Sequence, residues 1–358
     1  MSLARPIHGG NAIWAASQAG CSPDRIVDFS ASINPLGPPD SAIAAITARL
    51  DRLKAYPDPA YTQLREHLGH FHHIPPEFIW PGNGAAEVLT WVARHLSQLD
   101  GTYLFAPGFR DYWRSLEAFQ ATIKPVQLDW QATLPPLPHP HGSRCGLLLN
   151  NPHNPTGNLW RREDILPLLE QFAMVVVDEA FMDFLDPSRE QSLIPDIAEH
   201  PHLVIVRSLT KFYSLPGLRL GYAIAHPDLI QQWQQWRDPW AVNILAEVAA
   251  IAALADRDFA RQTWDWLPPT RDRLLDGLHS LSRLHPIPGA ANFLLVKIDG
   301  SATELQHALL QQYQILIRDC LSFPELGDSY FRIAVRSDRD NQNLLQALAH
   351  LLAQSNPS

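Results

Sequence analysis

A chain of 358 residues, 46% hydrophobic and 18% charged, has the composition of an ordinary globular protein with room for about two domains, not of a disordered one. Its formal net charge of −9 argues against a general phosphate-backbone binder, so no nucleic-acid partner is expected. Cys21, Cys145 and Cys320 are its only cysteines; lacking paired spacing, they suggest neither a disulfide framework nor a metal site, and a reducing cytoplasm is the expected location.

The N-terminal MSLARPIHGG has no long apolar run of the kind a leader peptide carries. Residues 1–39 are expected to join a small domain. From about residue 40 to 240, short apolar runs alternate with helical patterns. The runs Tyr103–Phe105, Gly146–Leu149, Met174–Val177, Leu203–Val206 and Tyr222–Ala225 lack a clean polar alternation, as strands buried on both faces do. Helices are expected between them, for example over Glu87–Leu96 and Arg162–Phe172, so residues 40–240 read as a large α/β domain around a mainly parallel sheet. Pro135–Arg144, rich in proline and histidine, is expected to be a surface loop, since its prolines remove backbone donors and fix φ. Ala241–Ala255 is the longest apolar stretch; Asn243 and Glu247 interrupt it, and it falls short of the roughly 20 residues that span a bilayer. It is expected to be a core helix, with no membrane association. Residues 241–358 then carry expected strands at Asn292–Ile298, Ile315–Arg318 and Phe331–Val335 and a closing helix at Asn341–Gln354, a smaller α+β domain.

Five segments carry chemistry. Gly82-Asn-Gly84-Ala85-Ala86-Glu87 follows an apolar run and opens a helix, where unpaired N–H groups and the helix dipole can hold a phosphate; taken alone it is equally a plain turn. Asn150-Asn-Pro-His-Asn154-Pro-Thr-Gly157 packs two X-Pro units into a tight loop that can aim Asn154 at a fixed ligand atom. Val175-Val-Val-Asp178 puts a carboxylate at the C-terminal edge of a buried strand, outside which ligands of open α/β sheets sit. Asp178 read by itself is equally a helix cap. Ser208-Leu-Thr-Lys211 follows the strand HLVIV and precedes Pro216-Gly-Leu-Arg219-Leu-Gly-Tyr222. Lys211 alone is as readily an ordinary surface lysine.

In their order, GNGAAE, NNPHNPTG, VVVDEA, SLTKFY and PGLRLGY resemble the fold-type I pyridoxal phosphate enzymes of the aminotransferase class I/II family. The resemblance implies a large domain on a mainly parallel seven-stranded sheet, a smaller α+β domain, and pyridoxal 5'-phosphate as cofactor. It implies that Lys211 holds the cofactor as a Schiff base and then moves protons. Asp178 would bind the pyridine nitrogen and Asn154 the ring's 3'-oxygen; Tyr112, in PGFRDYW, would stack on the ring. The amides of Ala85 and Ala86, with Ser208 and Arg219, would hold the cofactor phosphate. Tyr56, in AYPDPAY, would reach the phosphate of a neighbouring subunit, which implies a homodimer with shared sites.

Within the family the sequence is similar to two branches, the decarboxylases of L-threonine O-3-phosphate, which serve cobalamin biosynthesis, and the histidinol-phosphate aminotransferases. His8-Gly9-Gly-Asn11, followed by Asp28-Phe-Ser-Ala-Ser-Ile-Asn34, resembles the opening of the decarboxylases. Phe181, where many aminotransferases have tyrosine, is compatible with either branch. Phe331-Arg332-Ile-Ala-Val-Arg336 carries a second arginine where the aminotransferases usually have glycine. The resemblance implies a small phosphorylated amino acid as substrate: Arg332 for its carboxylate, a role suited to a planar guanidinium, and His8, Gly9, Asn34 and Arg318 around its phosphate, with Asn154 also facing it. Arg336 either joins them or is a salt-bridged or exposed arginine on the opposite edge. The expected reaction is decarboxylation, with amino transfer as the alternative.

Overall fold

The computed structural model describes residues 4–128, 134–137 and 144–354, so the expected loop Pro135–Arg144 lies partly outside the described residues, at 138–143. The chain forms two compact units: a larger one of Leu36–Asn154 and Asn158–Trp264, and a smaller one of Met1–Pro35, Pro155–Gly157 and Asp265–Ser358.

The first strand, β1 (Val27–Asp28), belongs to the smaller unit. The larger unit contributes β2 (Ile79–Asn83), β3 (Gly101–Ala106), β4 (Ile123–Gln127), β5 (Cys145–Asn150), β6 (Met174–Asp178), β7 (Leu203–Ser208) and β8 (Leu220–Ala225). Among the described residues these form one seven-stranded sheet in the order β2-β8-β7-β6-β5-β3-β4. Only β8 runs against its neighbours; the remaining pairs are parallel. Every residue of β5, β6, β7 and β8 is buried, because their Val, Ile and Leu side chains leave water on both faces, each fully buried one worth about 1.5–3 kcal/mol. β4 was not expected as a strand, since Pro125 interrupts it. A proline is tolerated there because β4 is an edge strand paired only with β3.

The smaller unit holds β9 (Leu284–Ile287), β10 (Phe293–Ile298), β11 (Ile315–Leu316), β12 (Arg318–Asp319) and β13 (Tyr330–Ala334). β12-β13-β10-β9 is an antiparallel sheet, while β11 pairs in parallel with the N-terminal β1. The single strand expected over Ile315–Arg318 is therefore two, because its halves take different partners. Trp14 and Ala15 of the helix Ala12–Ala19 pack with Leu310 and Leu316, which anchors the N-terminal segment to this unit.

The junction expected at residue 240 falls instead after Trp264. The helix Ile244–Ala255 packs against the helices Asp40–Thr47 and Thr62–His72 of the larger unit; its buried Ala246, Ala249, Ala250 and Ala253 allow the close approach that binds it there. The chain crosses between units within the following helix, Arg257–His279. Among the described residues no helix is long and apolar enough to cross a membrane.

Candidate active site

In the larger unit the parallel strands present their last residues along one edge: Asn150 of β5 stands beside Asp178 of β6, and β7 ends at Ser208. Asp178 is buried, 4% exposed. Its Oδ2 accepts from the Tyr112 hydroxyl at 2.7 Å and its Oδ1 from the Ala180 N–H at 2.9 Å. Burial pushes the Asp178 carboxyl up; the bonds from Tyr112 and Ala180 and the charge of Lys211 pull it back toward the ionised form. Tyr112, pushed well above the usual phenol range by burial and by Asp178, stays a donor. The structure thus uses the Tyr112 hydroxyl to hold Asp178, a role beyond the implied stacking. Phe109, half-buried, packs edge-on against the Tyr112 ring, with centroids 5.4 Å apart.

Lys211 follows β7 in the loop Ser208–Lys211, partly buried and within electrostatic range of Asp178. The Ser208 and Thr210 hydroxyls bond at 2.7 Å, closing that loop. Asn154 is buried, and its N–H donates to Asn150 Oδ1 at 2.7 Å, while Asn150 Nδ2 donates to the Pro152 carbonyl at 2.7 Å. Asn151 bonds Trp160 in both directions at 2.9 Å. These two side chains hold the loop that carries Asn154; sequence reading missed them, although a doubled Asn before Pro at a strand end is a turn-capping signal.

Gly84 caps the helix Ala85–Leu96 with φ +77. A Cβ there would stand 2.5 Å from Arg219 Nη2, so only glycine lets the guanidinium lie over the helix start. Arg219, itself at φ +59, is braced by the Pro216 carbonyl at 3.2 Å. First-turn N–H groups have no intrahelical acceptor, so those of Ala85 and Ala86, beside Arg219, are donors suited to an anionic group. Tyr56 is not part of this cluster: it is 78% exposed and leans on Trp240, ring centroids 4.6 Å apart.

In the smaller unit Arg318 of β12 and Arg332 of β13 are register partners, both buried. Arg318 donates to the Ile7 carbonyl and to Ser322 Oγ, and Arg332 donates to the Ser30 carbonyl at 3.2 Å, all neutral acceptors. Burial, and then repulsion from Arg318, brings Arg332 down to about 10, still cationic at neutral pH. Burial also lowers Arg318. Asp319, next in the strand, is engaged by Arg5 at 2.9 Å. Two neighbouring buried guanidiniums of this kind are suited to an anionic group. Arg336 pairs with Asp340 at 3.1 Å and donates to the Asp28 carbonyl at 3.1 Å, so the salt-bridged reading describes its present contacts. His8 is exposed and Asn34 buried, both on the N-terminal segment. A Cβ on Gly9 would collide with the Ser30 carbonyl oxygen. Among the described residues no cluster could hold a metal ion.

A family model described as aminotransferase class I and II matches residues 24–351. The threonine-phosphate decarboxylase of Salmonella typhimurium is 38% identical, with 98% of both chains covered. An adenosylcobalamin biosynthesis bifunctional protein of Leptospira interrogans is 30% identical over 97% of this chain and 41% of its own. A histidinol-phosphate aminotransferase of Methanothermobacter thermautotrophicus is 29% identical over 94% of this chain and 92% of its own. Among solved structures, the L-threonine-O-3-phosphate decarboxylase of Porphyromonas gingivalis and the histidinol-phosphate aminotransferase of Clostridium acetobutylicum both superpose with a TM-score of 0.83. They are 26% and 27% identical, covering 91% of this chain and 99% of theirs.

Proposed function

The chain belongs to the aminotransferase class I and II family, and from that premise we propose that it is a decarboxylase of L-threonine O-3-phosphate, releasing CO2 and (R)-1-amino-2-propanol O-2-phosphate for cobalamin biosynthesis. The observation that carries this reading is the pair of buried, adjacent arginines, Arg318 and Arg332, in a chain that aligns end to end with a relative of that name. A phosphate and a carboxylate on one small molecule match two such cations.

The enzyme's cofactor is pyridoxal 5'-phosphate, which when bound supplies an electron-withdrawing ring that stabilises negative charge at the substrate's Cα. The residues present fit it: Arg219 over the glycine-opened helix start, with Ser208, suits a phosphate monoester, and the buried Asp178 carboxyl, which accepts from two donors, suits a ring nitrogen. Lys211 would attach it covalently and Asn154 would reach its 3'-oxygen.

The chain's own residues choose the reaction by orientation. Which bond at Cα breaks would be set by how the protein's contacts hold the substrate. Arg318, with His8, Gly9 and Asn34, would bind the remote phosphate, and that binding energy would orient the carboxylate, instead of the Cα–H, for cleavage. Loss of CO2 leaves an electron pair at Cα, and Lys211 Nζ delivers the proton that fills it. Arg332 would hold the carboxylate, and Asn154 would also contact the substrate. The enzyme works in the cytoplasm as a homodimer, with Tyr56 of each copy completing the other's phosphate cradle.

The test is purified holoenzyme with threonine phosphate. CO2 should appear without any 2-oxo acid, whereas dependence on 2-oxoglutarate, or amino transfer from histidinol phosphate, would transfer the protein to the aminotransferase branch.

A further inference from the structure

Three residues of the smaller unit, Asp28, Phe29 and Ser30, take contacts from the N-terminal strap and from both arginines of the RIAVR segment. Phe29 is stitched on both sides: its N–H donates to the Leu316 carbonyl at 2.8 Å, and its carbonyl accepts from the Ala334 N–H at 2.9 Å. The two arginines of the RIAVR segment meet this tripeptide, Arg332 on the Ser30 carbonyl at 3.2 Å and Arg336 on the Asp28 carbonyl at 3.1 Å. The His8-Gly9-Gly10 strap meets it as well. The Gly10 N–H donates to Ser30 Oγ at 2.8 Å, and Gly9 lies so close to the Ser30 carbonyl that no side chain would fit. Ser30 is in turn locked by Asp28, whose Oδ1 accepts from the Ser30 N–H at 2.7 Å and from its hydroxyl at 2.6 Å. Ser30 is 2% exposed, so these bonds face little competition from water.

We propose that Ser30 is a positioning residue for substrate recognition, one that fixes the His8-Gly9 strap against the Arg332 guanidinium so that the phosphate-binding and carboxylate-binding groups keep one spacing. The proposal rests on the decarboxylase reading for the identity of the substrate, not for the contact itself. Ser30 touches no substrate; its hydroxyl holds the strap, and its carbonyl orients the arginine. Fixing these groups before binding removes ordering that the substrate would otherwise have to drive. The Asp28 carboxylate completes the device by holding the Ser30 hydroxyl hydrogen, which leaves the oxygen lone pairs toward Gly10.

Ser30→Ala removes the hydroxyl and little volume. In the holoenzyme it should raise KM for threonine phosphate about tenfold, the effect of roughly one buried hydrogen bond, with kcat within about threefold of wild type. Calorimetric affinity for inorganic phosphate should fall in parallel. Amide exchange of residues 7–11 should speed up, while the absorbance of the bound cofactor and the melting temperature stay as in wild type. Asp28→Asn, which keeps an acceptor oxygen for Ser30, should change KM less than Ser30→Ala does. An unchanged KM and unchanged exchange in Ser30→Ala would overturn the proposal. So would an equal loss of affinity for cofactor and for phosphate, the signature of a merely structural residue. A wild-type enzyme that releases no CO2 would sink the decarboxylase reading alone, since phosphate affinity and strap exchange still report on Ser30.

Discussion

The Tyr112 hydroxyl, 2.7 Å from Asp178, decides how readily a carboxylate buried this deeply keeps its charge. Burial raises its pKa and the Tyr112 bond lowers it, so Tyr112→Phe should move the Asp178 carboxyl further up. If Asp178 holds the ring nitrogen as proposed, cofactor affinity should drop and the pH titration of the bound-cofactor absorbance should shift. A titration superimposable on wild type would show that the bond does not reach the cofactor. Lys211→Ala should cut CO2 release by about a hundred- to ten-thousandfold, the usual contribution of a positioned proton donor, and should abolish the covalently bound absorbance band. Arg332→Lys keeps the charge but loses the planar fork, and Arg332 also lies over the Phe293 ring at 4.9 Å; KM for threonine phosphate should rise about tenfold or more.

Behind the residues at its C-terminal end, β7 carries Arg207, 1% exposed, which bonds Glu179 at 2.8 Å, Asp183 at 2.7 Å and Glu190 at 2.6 Å. This network ties the end of β6 to β7, the two strands that deliver Asp178 and Lys211. Despite Arg207, burial pushes Glu179 up to about 7 and Asp183 up to about 6. Arg207→Met leaves those carboxylates without their cation and should cost about 3–5 kcal/mol in denaturant unfolding at neutral pH. The pH dependence has a definite sign. A carboxyl whose folded pKa is raised binds its proton more tightly when folded, so its stabilising contribution is present at low pH and lost as pH rises through the folded value. The deficit of Arg207→Met should therefore be largest above pH 7 and should shrink toward pH 5; a pH-independent deficit would mean that lost packing, not the buried charges, is responsible.

Leu50, Leu53, Tyr56 and Trp240, all of the larger unit, are 50%, 61%, 78% and 45% exposed. Several large apolar side chains in solvent, close in sequence or in ring contact, are the mark of a surface that another chain covers. This supports the homodimer proposed above. Leu53→Glu should shift the protein to monomer in sedimentation velocity and weaken cofactor binding with it, because Tyr56 then loses its neighbour. A monomeric variant that binds the cofactor as tightly as wild type would remove Tyr56 from the cofactor site.

The residues proposed for the cofactor stood out in the sequence because each lies at a local feature: a buried strand followed at once by Asp178 or by Ser208 to Lys211, a helix opened by Gly84, a proline-fixed loop bearing Asn154. The hydrophobic runs that make the strands also place these residues at the strand ends, so order along the chain and position in the sheet agree. Pairings between distant segments leave no such trace. Nothing near Tyr112 announces its bond to Asp178, 66 residues away. Arg318 and Arg332 become neighbours only through the register of β12 on β13, and the contact of Gly10 with Ser30 needs the N-terminal segment to fold back on β1. The chain's division after Trp264 is likewise a matter of which helices Ile244–Ala255 packs against. Local sequence determined which groups are candidates for holding the cofactor. Packing of remote segments, whose hydrogen bonds and ion pairs depend on spatial approach and not on neighbouring residues, decided how the arginines, the strap and Ser30 are held.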